Sequence, residues 1–141
     1  LNGFLPAFIN GGQLGFNFGL QAIQFTATST AAENQTLCFP MYVHSIPTNN
    51  DNQDIVSMGT NSALLTKKVI ENGYQVIGIE LMAVIQAMKV LNARDQMSDA
   101  ARMLYDKCIG ILPDFSTDGE LSDHIDAFVE FVKNENLALI K

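Results

Sequence analysis

An all-α fold is predicted by the sequence, with long central helices of an elongated bundle and smaller helices at the C-terminal end. Residues 55–91 contain no proline, and their apolar positions recur at spacings of three and four, which is typical of a helix. Only 16% of the 141 residues are charged, against about 25% in ordinary soluble domains. Little of the surface is therefore suited to water, and we expect much of it to face other protein.

The N-terminal part of the chain is predicted to be irregular first and helical afterwards. Residues 1–15 hold Pro6 and a pair of glycines, which predicts an irregular entry segment. Residues 16–38 contain no proline and carry apolar side chains at helical spacing. Three nearby threonines lower the helix propensity, so a strand is the competing interpretation. A helix is favoured because the segment is too long for one strand.

Residues 39–54 are predicted to form a loop, because Pro40 and Pro47 interrupt any regular element. The helix predicted for residues 55–91 is apolar on nearly all faces, as expected of an element in the middle of an assembly. Its length would be roughly 55 Å at 1.5 Å per residue. That exceeds a compact domain of this size, so we expect the helix either to lie in a long bundle or to break near Gly73.

Two shorter helices are predicted near the C-terminus. The first covers residues 95–112, has Ser98 as its cap, and ends before Pro113. The second covers residues 118–133, where acidic residues in the first turn suit the positive end of the helix dipole. Those acidic residues are Asp118, Glu120 and Asp123.

Composition and charge exclude several classes of partner. The formal net charge of −7 argues against nucleic acid, because phosphate binding needs a basic patch. The most apolar window, residues 76–88, is too short to span a bilayer and carries Glu80 and Gln86, so no membrane partner is expected. No signal peptide opens the chain, which favours a cytoplasmic protein. Because the chain begins at Leu1, we expect a fragment or a processed product.

Several residue types that often carry chemistry have ordinary interpretations here. Cys38 and Cys108 lack the neighbours of a zinc motif and are expected to be reduced and buried, with a disulfide as the alternative. His44 and His124 are expected to have no positioned partner. Glu80 lies in an apolar stretch and is expected to pair with Lys or Arg from outside that stretch.

The most informative feature is the polar run from Pro47 to Asp54, which reads Pro-Thr-Asn-Asn-Asp-Asn-Gln-Asp. Asn and Asp suit turns, because their short side chains bond the nearby backbone and tolerate left-handed conformations. The bland interpretation is a turn followed by a helix N-cap. Asp51 and Asp54 could hold a metal, but we expect them to be caps and predict no metal site.

Several short strings together resemble the aromatic amino acid lyases. They are Leu5-Pro6-Ala7-Phe8, Gly15-Phe16-Asn17-Phe18-Gly19, Gln24-Phe25-Thr26-Ala27, Glu33-Asn34, Ser45-Ile46-Pro47-Thr48, Asn52-Gln53-Asp54, Val56-Ser57-Met58-Gly59, Ile79-Glu80-Leu81 and Gln86-Ala87. The similarity is dense and ungapped from about residue 3 to residue 90 and loose over the last fifty residues. This density makes the resemblance specific, although each string alone is short.

The resemblance implies an all-α, aspartase-like fold and a known chemistry. This family comprises histidine, phenylalanine and tyrosine ammonia-lyases and related aminomutases, which use a methylidene-imidazolone (MIO) group formed from Ala-Ser-Gly. No Ala-Ser-Gly occurs here, and the family's catalytic tyrosine loop and substrate-clamping arginine belong to earlier parts of such proteins. The chain is therefore expected to be the C-terminal portion of a lyase, inactive alone, and to assemble into a homotetramer with shared active sites.

The resemblance also assigns roles to three residues of the polar loop. Asn52 and Gln53 match a carboxamide pair that lies against MIO and the substrate amine, and Asn49 matches a position near that amine. Histidine lyases usually carry Glu where this chain has Gln53, so tyrosine or phenylalanine is the favoured substrate and histidine a possible one. An aminomutase and a non-catalytic helical assembly domain are the alternatives.

These interpretations divide the chain into two segments. Residues 1–94 are predicted to form a central helical-bundle segment that carries the active-site loop at residues 45–54. Residues 95–141 are predicted to form a C-terminal helical segment.

Overall fold

The computed structural model describes residues 4–135, and its framework consists of α-helices. The four helices are α1 (Gln21–Leu37), α2 (Gly59–Val90), α3 (Asp99–Cys108) and α4 (Ser122–Asn134). Among the described residues, one short 3-10 turn precedes α1, at Ala7–Ile9, and two lie between helices, at Met41–His44 and Arg94–Gln96. Isolated β-bridges occur within residues 4–135, but no strand does. The predicted all-α fold is confirmed, while the division of the chain after residue 94 stays a prediction.

Helix α2 is continuous over 32 residues and about 48 Å long. It does not break at Gly73, so of the two alternatives the long unbroken helix is correct. It begins at Gly59 rather than at Ile55, because Met58 adopts a left-handed conformation with φ of 52°. A residue in that conformation cannot continue a right-handed helix, so residues 55–58 lead into α2 instead of extending it.

Helix α1 begins at Gln21, five residues later than predicted. Gly15 and Gly19 have positive φ angles of 90° and 58°, which hold the backbone outside the helical region. The strand alternative is wrong, and the threonines fit the helix because their hydroxyls bond carbonyls one turn earlier. Thr30 Oγ1, for example, donates to the Thr26 carbonyl at 2.9 Å.

Helix α3 is shorter than predicted at both ends. Ser98 is its cap as expected, and its Oγ accepts a hydrogen bond from the Ala101 N–H at 3.3 Å. The residues before Ser98 form a separate 3-10 turn, which Arg94 ties to the helix through two bonds to Asp106 at 2.7 and 2.8 Å. This pairing lowers the pKa of the Asp106 carboxyl and raises that of Arg94. The helix ends at Cys108, well before Pro113.

Helix α4 begins at Ser122, so two of the three acidic residues predicted for its first turn lie outside it. Asp123 is inside that turn, whereas Asp118 and Glu120 precede the helix. Asp118 instead accepts hydrogen bonds from the backbone N–H groups of Phe18 and Gly19, the former at 2.9 Å. The acidic residue therefore stabilises the entry to α1, which is a hundred residues away in the sequence.

The core forms where α1 and α4 pack against α2. Its buried apolar members are Leu20, Ile23, Ile79, Met82, Ile85, Tyr105, Cys108, Phe115, Ile125 and Phe128. Side-chain contacts link α1 and α2: Thr30 Oγ1 lies 2.8 Å from Gln75 Oε1, and Asn72 Nδ2 donates to Asn34 Oδ1 at 2.9 Å. Because residue numbers rise along one helix as they fall along the other, α1 and α2 are antiparallel. The polar loop therefore lies at one end of a helical hairpin.

Candidate functional site

The polar loop between α1 and α2 forms a small closed hairpin. At its base, the Val56 N–H donates to Ser45 Oγ at 2.7 Å. Nearer the tip, Thr48 and Gln53 form an antiparallel bridge through two backbone bonds of 2.9 and 3.2 Å. Hydrogen bonds thus close the loop both at its base and near its tip. They hold the four tip residues, 49–52, in one turn.

Three consecutive tip residues adopt left-handed conformations. Asn49, Asn50 and Asp51 have φ angles of 55°, 54° and 61°, and the Asn52 N–H donates back to the Asn49 carbonyl at 3.1 Å. Asn and Asp are the non-glycine residues that tolerate this region best. The predicted turn is confirmed, and the residue types of the polar run explain its geometry.

The three residues predicted to contact substrate and MIO lie together on this hairpin. Asn49, Asn52 and Gln53 are all exposed, so their carboxamides are open to a ligand or to another chain. Gln53 has one side-chain bond among the described residues, since its Oε1 accepts from Thr48 Oγ1 at 3.3 Å. Their roles in binding stay predictions.

The predicted capping role of the two aspartates is not observed. Helix α2 has Met58 at its N-cap and no side-chain capping bond, so neither Asp51 nor Asp54 caps it. Four residues separate Asp54 from the first residue of the helix, which puts its carboxylate beyond the usual capping position. Within residues 4–135, no three His, Cys, Asp or Glu side chains are grouped so as to hold a metal ion.

Glu80 and the two cysteines differ from their predicted environments. Glu80 is exposed on α2 and forms no ion pair within the described part of the chain, so it is not a buried carboxylate here. It lines an apolar groove of about 370 Å³ between α1 and α2. Both cysteines are free, but Cys38 is exposed and only Cys108 is buried.

The histidines are not part of the hairpin's tip. His44 is exposed in the 3-10 turn that precedes the loop. His124 is half-buried on α4, and its Nδ1 lies 3.1 Å from the Ile111 carbonyl oxygen, so it does have a positioned partner. That contact ties α4 to the segment after α3 and is remote in sequence from the loop.

The sequence interpretation missed the hydroxyl groups that shape the hairpin. Ser45 precedes the polar run and Thr48 lies inside it, and each bonds an atom that lies five or more residues away in the chain. A hydroxyl beside a carboxamide-rich loop is a weak signal, because its partner is fixed only once the hairpin has folded. Nor did the sequence predict the Asp118 contact to residues 18–19.

The chain is similar to known proteins over most of its length, and not only at the polar loop. A family model described as aromatic amino acid lyase matches residues 1–109. A tyrosine ammonia-lyase from Cupriavidus metallidurans is 34% identical over 133 residues, which is 94% of this chain and 25% of that protein. Histidine ammonia-lyase 1 from Fusobacterium nucleatum is 36% identical over 137 residues, 97% of this chain and 26% of that protein.

Aminomutases are similar to a comparable extent. An MIO-dependent tyrosine 2,3-aminomutase from Streptomyces globisporus is 34% identical over 122 residues, covering 86% of this chain and 22% of that protein. The crystal structure of tyrosine aminomutase from the same species superposes with a TM-score of 0.88 and 31% identity, over 96% of this chain and 26% of that one. This chain therefore spans about a quarter of the length of the relatives it matches.

Proposed function

Because the chain belongs to the aromatic amino acid lyase family, we propose that it forms the C-terminal portion of an enzyme that eliminates ammonia from an aromatic amino acid. Its fold is all-α, as the sequence predicts, and aspartase-like, as the family resemblance implies. The observation that carries this proposal is the closed hairpin. This exposed hairpin carries Asn49, Asn52 and Gln53, which by resemblance match the family's contacts to substrate and prosthetic group.

The hairpin's chemistry suits the MIO group of this family. Carboxamides offer both donors and acceptors without adding charge, so they can bond ring carbonyl oxygens and an amine at once. When bound, MIO supplies the electrophile that activates the substrate amine. Asn52 and Gln53 would hold and orient the reactants, and no group of the hairpin is proposed to remove the β-proton. The electrophile and the base are proposed to come from other parts of the enzyme.

Tyrosine or phenylalanine is the proposed substrate, with histidine as the less favoured one. The relatives include enzymes named for tyrosine and for histidine, so the family match alone does not separate them. The support comes from Gln53, which is neutral where histidine lyases usually carry a carboxylate. A carboxylate would suit a cationic imidazole, whereas a neutral carboxamide suits an uncharged ring.

An aminomutase is the second candidate, because tyrosine aminomutase from Streptomyces globisporus is similar to this chain both in sequence and in structure. Such an enzyme would return ammonia to the β-carbon after elimination. The hairpin serves both reactions equally, since both need the amine oriented. Product analysis with tyrosine separates them, because a mutase yields a β-amino acid and a lyase yields an unsaturated acid.

We propose further that the enzyme is a homotetramer that works in the cytoplasm. A tetramer would cover the exposed apolar side chains and bring the hairpin to residues of other subunits. Without the rest of the enzyme, the chain would be only a helical assembly domain. Two free thiols suit a reducing compartment.

Gln53→Ala in the intact enzyme tests the proposed function. Gln53 is exposed, so truncation removes few packing contacts and should leave the melting temperature unchanged. Losing one oriented hydrogen bond at the reacting groups should lower kcat/KM on the preferred substrate on the order of a hundredfold. The 141-residue chain alone is the blank, and no turnover is expected from it.

Gln53→Glu tests the substrate assignment separately. The new carboxylate should raise kcat/KM for histidine relative to tyrosine, because it adds a negative charge facing the substrate. Both variants are assayed with tyrosine, phenylalanine and histidine. Wild-type kcat/KM for Gln53→Ala on all three would show that the hairpin is only a turn.

A further inference from the structure

The hydroxyl of Thr48 hydrogen-bonds the side chain of Gln53. The two residues face each other across the antiparallel bridge, and side chains of directly opposed residues leave the same face of such a pair. Thr48 Oγ1 donates to Gln53 Oε1 at 3.3 Å. Among the described residues, no other side chain hydrogen-bonds this carboxamide.

This contact distinguishes the two ends of the carboxamide. With Oε1 turned toward Thr48, the Nε2 amide group points away from the hydroxyl and keeps both of its donors for a ligand. On the basis of the proposed function, we propose that Thr48 is a positioning residue that fixes this orientation. Gln53 then presents a hydrogen-bond donor to a carbonyl or carboxylate oxygen of the bound reactants.

A threonine is well suited to this task. Its β-branched side chain has few χ1 conformations, so the hydroxyl is held in place, whereas an exposed glutamine otherwise samples many rotamers. The contact of 3.3 Å is longer than the usual O–H···O distance of about 2.7–2.8 Å. Hydrogen bonds of catalytic groups are often long before substrate binds and shorten in the complex.

The hydroxyl can be removed without opening the hairpin. The two bonds that close the bridge involve backbone atoms of Thr48 and Gln53 only. Thr48→Val keeps the backbone bonds and the β-branched shape and loses only the hydroxyl, whereas Thr48→Ser keeps the hydroxyl. A role in hairpin closure and a role in orienting Gln53 therefore predict different results.

The test is a double-mutant cycle in the intact enzyme, assayed with tyrosine and phenylalanine. Thr48→Val should lower kcat/KM roughly tenfold or more, because small misplacements of positioning groups have effects of that size. Thr48→Ser should stay near wild type, and the melting temperature should not change. Adding Thr48→Val to Gln53→Ala should cause no further loss, because Thr48 acts only through Gln53.

Thr66→Val is the matched control. Its hydroxyl is exposed and, within residues 4–135, bonds only the Ser62 carbonyl of the same helix, so this variant should retain wild-type kcat/KM. Equal losses from Thr48→Val with and without Gln53→Ala would overturn the positioning role and indicate a structural one. Wild-type activity of Thr48→Val, together with a loss in Gln53→Ala, would overturn this inference and leave the proposed function standing. Full activity of Gln53→Ala would show that the hairpin is only a turn, whereas no turnover of any aromatic amino acid by the intact wild-type enzyme would overturn the proposed function itself.

Discussion

The left-handed backbone conformation of the hairpin tip costs free energy, and the side chains of the tip residues reduce that cost. Asn49, Asn50 and Asp51 all have positive φ, a region that costs about 1–2 kcal/mol per ordinary residue. Short polar side chains lower this cost by bonding locally. Strained backbone persists only where the surroundings hold it in place, and here the Ser45 and Thr48 contacts do so. The tip is therefore shaped before any ligand arrives.

The two cysteines show how strongly environment alters one residue type. Cys38 is exposed at the end of α1, whereas Cys108 is fully enclosed at the end of α3. Burial, with a smaller contribution from the Glu135 carboxylate, raises the pKa of the Cys108 thiol to about 11 from 9.0. The thiolate is the reactive form of cysteine, so both the burial of Cys108 and its raised pKa protect it from modification.

We predict that one thiol reacts quickly and the other only on unfolding. With a chromogenic thiol reagent at pH 8, Cys38 should be modified first, and Cys38→Ser should remove the fast phase. Because the folded pKa of Cys108 is raised, its contribution to stability is complete below about pH 9 and is lost as the pH rises toward 11. A melting temperature that falls over this range in wild type, and less in Cys108→Ala, would confirm the assignment. Two equally fast thiols would contradict it.

At the scale of elements, two glycines of helix α2 differ in how closely other parts of the chain approach them. A Cβ added at Gly78 would lie 3.1 Å from both the backbone nitrogen and the Cγ2 of Val129, where α2 crosses α4. A Cβ added at Gly73 would meet nothing within 4 Å. Both residues lie inside α2, so the same substitution changes helix propensity equally at the two sites and packing at only one.

Gly78→Ala should therefore destabilise the protein and Gly73→Ala should stabilise it. Alanine gains up to about 1 kcal/mol over glycine in a helix interior. At Gly78 that gain is offset by overpacking against α4 of about 1–3 kcal/mol, since the backbone of Val129 must move. Thermal or urea unfolding of both variants measures the difference. Equal stabilisation by the two substitutions would mean that α2 and α4 do not approach closely at Gly78.

Element type was predictable from the sequence, but element ends were less so. The apolar spacing of α2 identifies a helix, and Ser98 identifies the start of α3. The starts of α1 and α2 depend on left-handed backbone at Gly19 and Met58, and nothing about a methionine signals that conformation. Short-range patterns thus fix which segments are helical, while tertiary context decides where each begins.

The candidate site shows the same limit. Its polar loop stands out in the sequence because carboxamides and aspartates are concentrated there. The hydroxyl partners do not, since the bond from Thr48 to Gln53 depends on the register of the folded hairpin. The contact of Asp118 with residues 18–19 joins parts of the chain too distant for any local pattern to reveal.

At the scale of the whole molecule, the surface is larger than a compact monomer requires. The accessible area is 9544 Å², against roughly 7,200 Å² for a folded protein of 15.4 kDa. Part of the excess lies on one side of α2 and continues onto the residue that follows it, where four apolar residues recur at intervals of seven. This outer stripe consists of Ile70, Ile77, Val84 and Leu91, each 42–54% exposed. None of the described helices is apolar enough over sufficient length to cross a membrane.

The outer stripe should make the 141-residue chain self-associate. Apolar residues at one position of successive heptads supply half of the pattern along which helices pair, and a contiguous exposed apolar surface marks an interface. Ile77→Lys places a charge at the middle of the stripe and should weaken association by about tenfold or more, measured by light scattering across a concentration series. Leu64→Lys is the matched control, because Leu64 is an exposed apolar residue of the same helix that lies off the stripe. Equal weakening by both substitutions would indicate unspecific association, and a monomer at high concentration in wild type would show that the stripe does not pair in this chain.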